Sequence, residues 1–67
     1  MFKYRAIHRP FEPFWNIEIF DSENQVAYDL YDNGEILRFL DKNDAEKYIK
    51  NVISTEEEHG GWFDGPV

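Results

Sequence analysis

Apolar and polar residues alternate with period two through most of the first forty positions. Phe2, Tyr4, Ala6 and His8 fall on one side of an extended chain; Lys3, Arg5, Ile7 and Arg9 fall on the other. Successive side chains of a strand point to opposite faces, so this spacing predicts a strand over residues 2–9. Pro10-Phe11-Glu12-Pro13 ends it, because each proline fixes φ and removes a ladder donor. Trp15, Ile17 and Ile19 open a second alternating run, closed by the turn formers Asp21-Ser22-Glu23-Asn24. Val26, Tyr28 and Leu30 make a third, closed by Asp32-Asn33-Gly34-Glu35, and Leu37 and Phe39 lie on a fourth. Asn-Gly between alternating runs is a strong hairpin signal, since a type I′ turn needs positive φ at both central residues.

These turns imply a register. A two-residue Asn33-Gly34 turn pairs Asp32 with Glu35, Leu30 with Leu37, Tyr28 with Phe39 and Asp29 with Arg38. A turn at 21–24 pairs Ile19 with Val26, Ile17 with Tyr28 and Trp15 with Leu30. Across Pro10–Pro13, Tyr4 meets Ile19, Ala6 meets Ile17 and Arg5 meets Glu18. All apolar partners then share one face, and Arg5–Glu18 and Asp29–Arg38 become opposite-charge pairs on the other. The expected sheet is a four-stranded antiparallel meander of order 1-2-3-4.

Ala45, Tyr48, Ile49, Val52 and Ile53 recur at i, i+3, i+4, i+7 and i+8, which is a helical stripe. Asn43 is placed to cap this helix, with Glu46 three residues on and Asp44 at its positive end. The stripe must bury against the apolar sheet face. Residues 56–67 contain three glycines and a proline and abandon the stripe, which reads as an irregular acidic tail. The expected fold class is therefore α+β: one ββββα domain over 1–55, then a Gly/aromatic tail over 56–67.

Composition narrows the functional classes. With 67 residues and no cysteine, neither disulfides nor Cys-based zinc sites are available, and the cysteine-free composition fits a reducing cytoplasm. Six Phe, four Tyr and two Trp supply the core that a chain this short needs, and argue against disorder. No apolar run reaches the roughly 20 residues of a membrane span, and no signal-peptide pattern opens the chain. Fourteen acids oppose seven bases, for a net charge of −7. Lys3, Arg5 and Arg9 sit in the first nine positions. From residue 10 onward, fourteen acids stand against only Arg38, Lys42, Lys47 and Lys50, a local net of −10.

Catalytic chemistry finds no foothold in these residues. His8 falls at a core margin, and Ser22, Ser54 and Thr55 have no base and orienting acid at a recognisable spacing. The chain reads as a non-enzyme with no cofactor. Metal binding is weakly suggested by Glu56-Glu57-Glu58-His59 and by Asp21, Glu23, Asp41 and Asp44. A solvated charge run explains the first group; turn and capping chemistry explains the second. Lys3, Arg5 and Arg9 share a strand with Phe2 and Tyr4, an arrangement used by single-strand binders. Here the bases and the aromatics face opposite ways, so no stacking platform lines a basic groove, and direct nucleic-acid binding is not expected.

Two features remain as candidate partner-binding residues. The outer sheet face carries a cross-strand row of Phe14, Tyr31 and Ile36, with Leu40, Ala27 and Phe20 beyond it, and Asp32 and Glu35 at its hairpin. Apolar residues on a wet face mark a contact site or an internal cover. The tail offers Trp62 and Phe63 beside Glu56, Glu57 and Glu58, either as that cover or as a docking peptide. The reading that follows is a small acidic binding protein that inhibits or modulates a basic or nucleic-acid-handling protein. In size and composition alone, the chain resembles the small accessory proteins that bacteriophages make against host enzymes. DNA mimicry is a narrower form of this reading, and would need carboxylates at phosphate-like spacing. The alternative is a structural or assembly module that homo-oligomerises through the exposed sheet face or an open sheet edge.

Overall fold

The computed structural model describes residues 2–53 and 58–65. Its elements are β1 (Phe2–His8), β2 (Trp15–Asp21), β3 (Val26–Asp29), β4 (Tyr31–Asp32), β5 (Glu35–Ile36), α1 (Lys42–Tyr48) running into a π-helical turn (Ile49–Ile53), β6 (Glu58–His59) and β7 (Trp62–Asp64). The class is α+β, an antiparallel sheet with one helix, as the alternation and the stripe predict. The strand order is β3-β2-β1-β7-β6, with β4 and β5 forming a separate two-stranded ladder.

The first hairpin has the expected register: Tyr4 pairs with Ile19, Ala6 with Ile17 and Arg5 with Glu18. The next departs from expectation by two residues. Asp21 does not lie in the turn but ends β2, pairing with Val26, while Ile19 pairs with Tyr28 and Phe20 with Ala27. The cause is the Asp21 carboxylate, which accepts the N–H groups of Glu23 (3.0 Å) and Asn24 (3.4 Å) and the Asn24 side-chain amide (2.7 Å). These bonds wind the turn over 22–25, where Gln25 takes φ 58°. Accordingly Ile17 meets Leu30 rather than Tyr28, accepting its N–H at 2.9 Å.

The 1-2-3-4 meander is not formed. Asn33 and Gly34 do take positive φ (54° and 80°), and Asp32 pairs with Glu35 as the turn requires. Leu37 N–H bonds to Leu30 at 3.1 Å and closes this hairpin at its base. The chain then returns to β2, where Phe39 and Trp15 exchange two main-chain bonds of 2.8 and 2.9 Å. Phe39 thus pairs with Trp15 and not with Tyr28. The reason lies in β3, whose four residues reach only as far as Glu18. That leaves the buried end of β2 with main-chain groups to satisfy, and Phe39 satisfies them. The β4–β5 hairpin is consequently an excursion standing off the main sheet. Asp29 is taken by Arg9 (2.7 Å), so the expected Asp29–Arg38 pair is replaced.

The place expected for a fourth strand, beside β3, is not taken by any described strand, and the sheet is extended instead at its other edge, beside β1. Within the segment read as an irregular tail, residues 58–64 instead form a hairpin whose inner strand, β7, pairs with β1, Tyr4 facing Phe63 and Lys3 facing Asp64. Gly60 and Gly61 turn it with φ 59° and 90°, both positive like those of Asn33 and Gly34.

The helix starts earlier than expected. Asp41, not Asn43, caps it, accepting the Asp44 N–H at 2.8 Å. Ala45 and Ile49 from the stripe join Ile17 and Phe63 as the buried centre, with Tyr4, Ala6, Trp15, Leu30, Phe39, Tyr48 and Ile53 packed around them. Val52 leaves the stripe and is 61% exposed. An α-helix advances about 100° per residue, whereas a π-helical turn advances less, so Val52 rotates out of line with Ala45. His8 is exposed at the sheet end, its ring 5.2 Å from Trp15.

Candidate interaction surface

The sheet face opposite the helix is built by residues of one parity: Lys3, Arg5 and Ile7 on β1; Asn16, Glu18 and Phe20 on β2; Ala27 and Asp29 on β3; Trp62 and Asp64 on β7. Its charges are largely resolved within the face. Arg5 donates from Nε (2.8 Å) and Nη2 (2.7 Å) to one oxygen of Glu18. Arg9 donates to Asp29 at 2.7 Å and to the side-chain oxygen of Asn16 at 3.1 Å. The hydrogen bond to Asp29 raises the Arg9 pKa above its ordinary value, partly opposed by burial. Buried Asn16 in turn donates its Nδ2 to the Leu37 carbonyl at 3.0 Å. Arg9, Asn16 and Asp29 therefore pin the base of the β4–β5 hairpin to the sheet. Parity alone places Asn16 beside Arg9; nothing in the sequence indicates the bond to Leu37.

Four of the candidate partner-binding residues come together on that hairpin. Tyr31 pairs with Ile36, and Asp32 lies directly across from Glu35. Tyr31 is 60% exposed, Asp32 and Glu35 are exposed, and Ile36 is half-buried. Phe14 is half-buried in the bend before β2, and no strand pairing joins it to Tyr31 or Ile36. Leu40 and Ala27 are exposed, and Phe20 is half-buried.

The remaining candidates belong to the C-terminal hairpin. Phe63 is buried against the helix. Trp62 points to the other face, with the Arg5 guanidinium carbon 4.3 Å from its ring centroid and the Phe20 ring 6.1 Å away. The backbone of Glu58 lies on β6, opposite Phe63. Glu56 and Glu57 fall outside the described residues.

Among the described residues, no group of three or more His, Asp or Glu side chains is gathered to hold a metal ion. No pocket opens in the surface they form, and no helix among them is long and apolar enough to cross a membrane. Comparison with protein-family models, with curated proteins and with solved structures gives no match.

Proposed function

We propose that the chain is a non-enzymatic binding protein whose β4–β5 hairpin engages a basic surface on a nucleic-acid-handling protein and modulates that partner. One observation carries the reading: Asp32 and Glu35 are opposed across the ladder beside exposed Tyr31. Like charges directly opposite one another weaken a hairpin, so folding gains nothing from this arrangement. A cationic partner would relieve the repulsion. Aromatic contact beside the charges would add the apolar centre that such interfaces use. The remaining carboxylates on the turns and rims would steer the encounter more than anchor it. Arg5 and Arg9 are paired with Glu18 and Asp29, so the net charge of −7 is carried by the other residues.

Asp32→Lys tests the proposal, because it drives stability and binding in opposite directions. Lysine opposite Glu35 converts a repulsive pair to an attractive one, and should stabilise the chain by about 0.2–1 kcal/mol. The same change should release a nucleic-acid-handling protein captured from lysate, as should ~0.5 M salt. Undiminished capture by a folded Asp32→Lys, Glu35→Lys chain would refute the role of the hairpin.

A further inference from the structure

We infer that two copies of this chain associate edge to edge through β3, merging their five-stranded sheets about a two-fold axis at Tyr28. This goes beyond the hairpin reading and uses different residues. Among the described residues, β3 has a hydrogen-bonded neighbour on one side only, and it is the longer of the two sheet edges, four residues against two for β6.

The ladder fixes which of its main-chain groups are open. Leu30 N–H bonds to the Ile17 carbonyl at 2.9 Å, which makes Ile17–Leu30 a hydrogen-bonded pair. Such pairs alternate along an antiparallel ladder, so Tyr28 and Val26 also bond inward, to Ile19 and Asp21. The N–H and C=O of Ala27 and Asp29 therefore point away from the sheet. Edge strands are ordinarily protected by lysine, proline or a bulge. Residues 26–29 contain no lysine or proline, they pair with 18–21 without interruption, and their one charge, Asp29, is drawn onto the sheet face by Arg9.

The occupant is a second copy because the strand complements itself. A two-fold axis perpendicular to the sheet keeps the helix sides together, so paired residues must share parity. Pairing Asp29 with its own counterpart would set two carboxylates face to face. Pairing Ala27 with its counterpart would bring Gln25 into the ladder, and its φ of 58° is not extended. The axis at Tyr28 avoids both. It sets Ala27 opposite Asp29 of the other copy, twice, so that all four outward residues exchange main-chain bonds. On the helix side it places Tyr28 against Tyr28, and Val26 against Leu30. Val26 and Tyr28 are each 48% exposed in the single chain, and this pairing covers them. The contact is small, so the dimer is a weak one, and two net charges of −7 oppose it at low salt.

Sedimentation equilibrium across protein concentration, in low salt and in ~0.5 M salt, tests this. The mass should climb from 8.1 kDa toward twice that value, and should climb further in high salt. Binding of a basic partner through the hairpin would weaken in the same salt, so the two proposals fail independently. Ala27→Pro removes a donor that the fold itself does not use, and Tyr28→Lys puts two cations across the axis. Each should hold the mass at 8.1 kDa with an unchanged circular dichroism spectrum. In the unaltered chain, the Ala27 and Asp29 amides should exchange about tenfold more slowly at ~1 mM than at ~10 µM. A monomer at ~1 mM in high salt, or exchange at these amides that ignores concentration, would overturn the inference.

Discussion

The Arg5 guanidinium lies over the Trp62 ring, 4.3 Å from its centroid, while the same guanidinium holds Glu18 at 2.7 Å. One arginine on β1 thus ties the C-terminal hairpin on one side to β2 on the other. Phe20 completes the group, its ring 6.1 Å from that of Trp62. The outer sheet face is held together here by stacked charge and aromatic surface more than by buried apolar volume.

Trp62→Ala should therefore loosen the C-terminal hairpin. The cation–π contact contributes about 0.5–1 kcal/mol and the aromatic pair about 0.5–1.5 kcal/mol, so a loss of roughly 1–2.5 kcal/mol is expected. Urea titration of the single variants and of the Arg5→Ala, Trp62→Ala double variant measures the coupling. Additive losses would mean that the guanidinium and the ring do not interact.

Phe63→Ala should cost more, about 3–5 kcal/mol, because Phe63 is buried between the sheet and α1. Truncation after Ile53 should be at least as damaging, since it removes β7 from the side of β1 as well. Thermal melting followed by far-UV circular dichroism checks both. A truncated chain melting as the full chain does would show that the hairpin adds nothing to the core.

Which parts of this arrangement were legible in the sequence follows from what strand alternation can report. It reports face, and it also gave the β1–β2 register, because Arg5 and Glu18 are opposite in charge and Tyr4, Ala6, Ile17 and Ile19 agree in parity. A slip of one residue breaks that agreement, but a slip of two preserves it. This is why the β2–β3 register came out two residues away, with every apolar residue still on its proper side. Asp21 decided the matter through bonds of its side chain, and spacing does not encode those. Phe39 failed in the same way, correct in face and wrong in neighbour. The C-terminal hairpin was legible and was missed. Gly60-Gly61 between Glu58-His59 and Trp62-Phe63-Asp64 is a two-residue turn signal of the same kind as Asn33-Gly34. On the candidate surface, pairing around Asn33-Gly34 correctly joined Tyr31 to Ile36 and Asp32 to Glu35. Their separation from the main sheet depended on Asn16 and Phe39, which no local pattern connects to that hairpin.

Gly65→Ala should destabilise the fold although glycine takes no unusual backbone angle there. A Cβ at this position would meet Tyr4 Cε1 at 2.6 Å and the Phe2 carbonyl oxygen at 3.0 Å. The carbonyl cannot retreat, because it accepts the Gly65 N–H at 2.9 Å. The Tyr4 ring, packed against the core, must move instead. Overpacking of this kind typically costs about 1–3 kcal/mol. A Tyr4→Ala, Gly65→Ala double variant should lose less than the sum of the two single losses, by urea titration, because truncating the ring removes the clash.

Acid should attack the Ser22–Gln25 turn first. The Asp21 carboxylate is held below its ordinary pKa, chiefly by the Asn24 side-chain amide and further by the N–H groups of Asn24 and Glu23, with burial opposing. A carboxylate depressed in the folded state favours folding fully above its unfolded pKa of about 3.9, and that contribution fades as pH falls through the lower folded value. Protonation weakens the bonds that wind the turn over 22–25, and with them the register between β2 and β3. Asp21→Asn cannot titrate, and its amide lacks the second acceptor that Asn24 uses. The variant should be less stable than the parent at pH 6, and the gap should narrow as both are acidified below about pH 4. Melting temperatures of the two chains between pH 6 and pH 2 read this directly. A gap that stays constant across that range would show that the Asp21 charge contributes nothing to the turn.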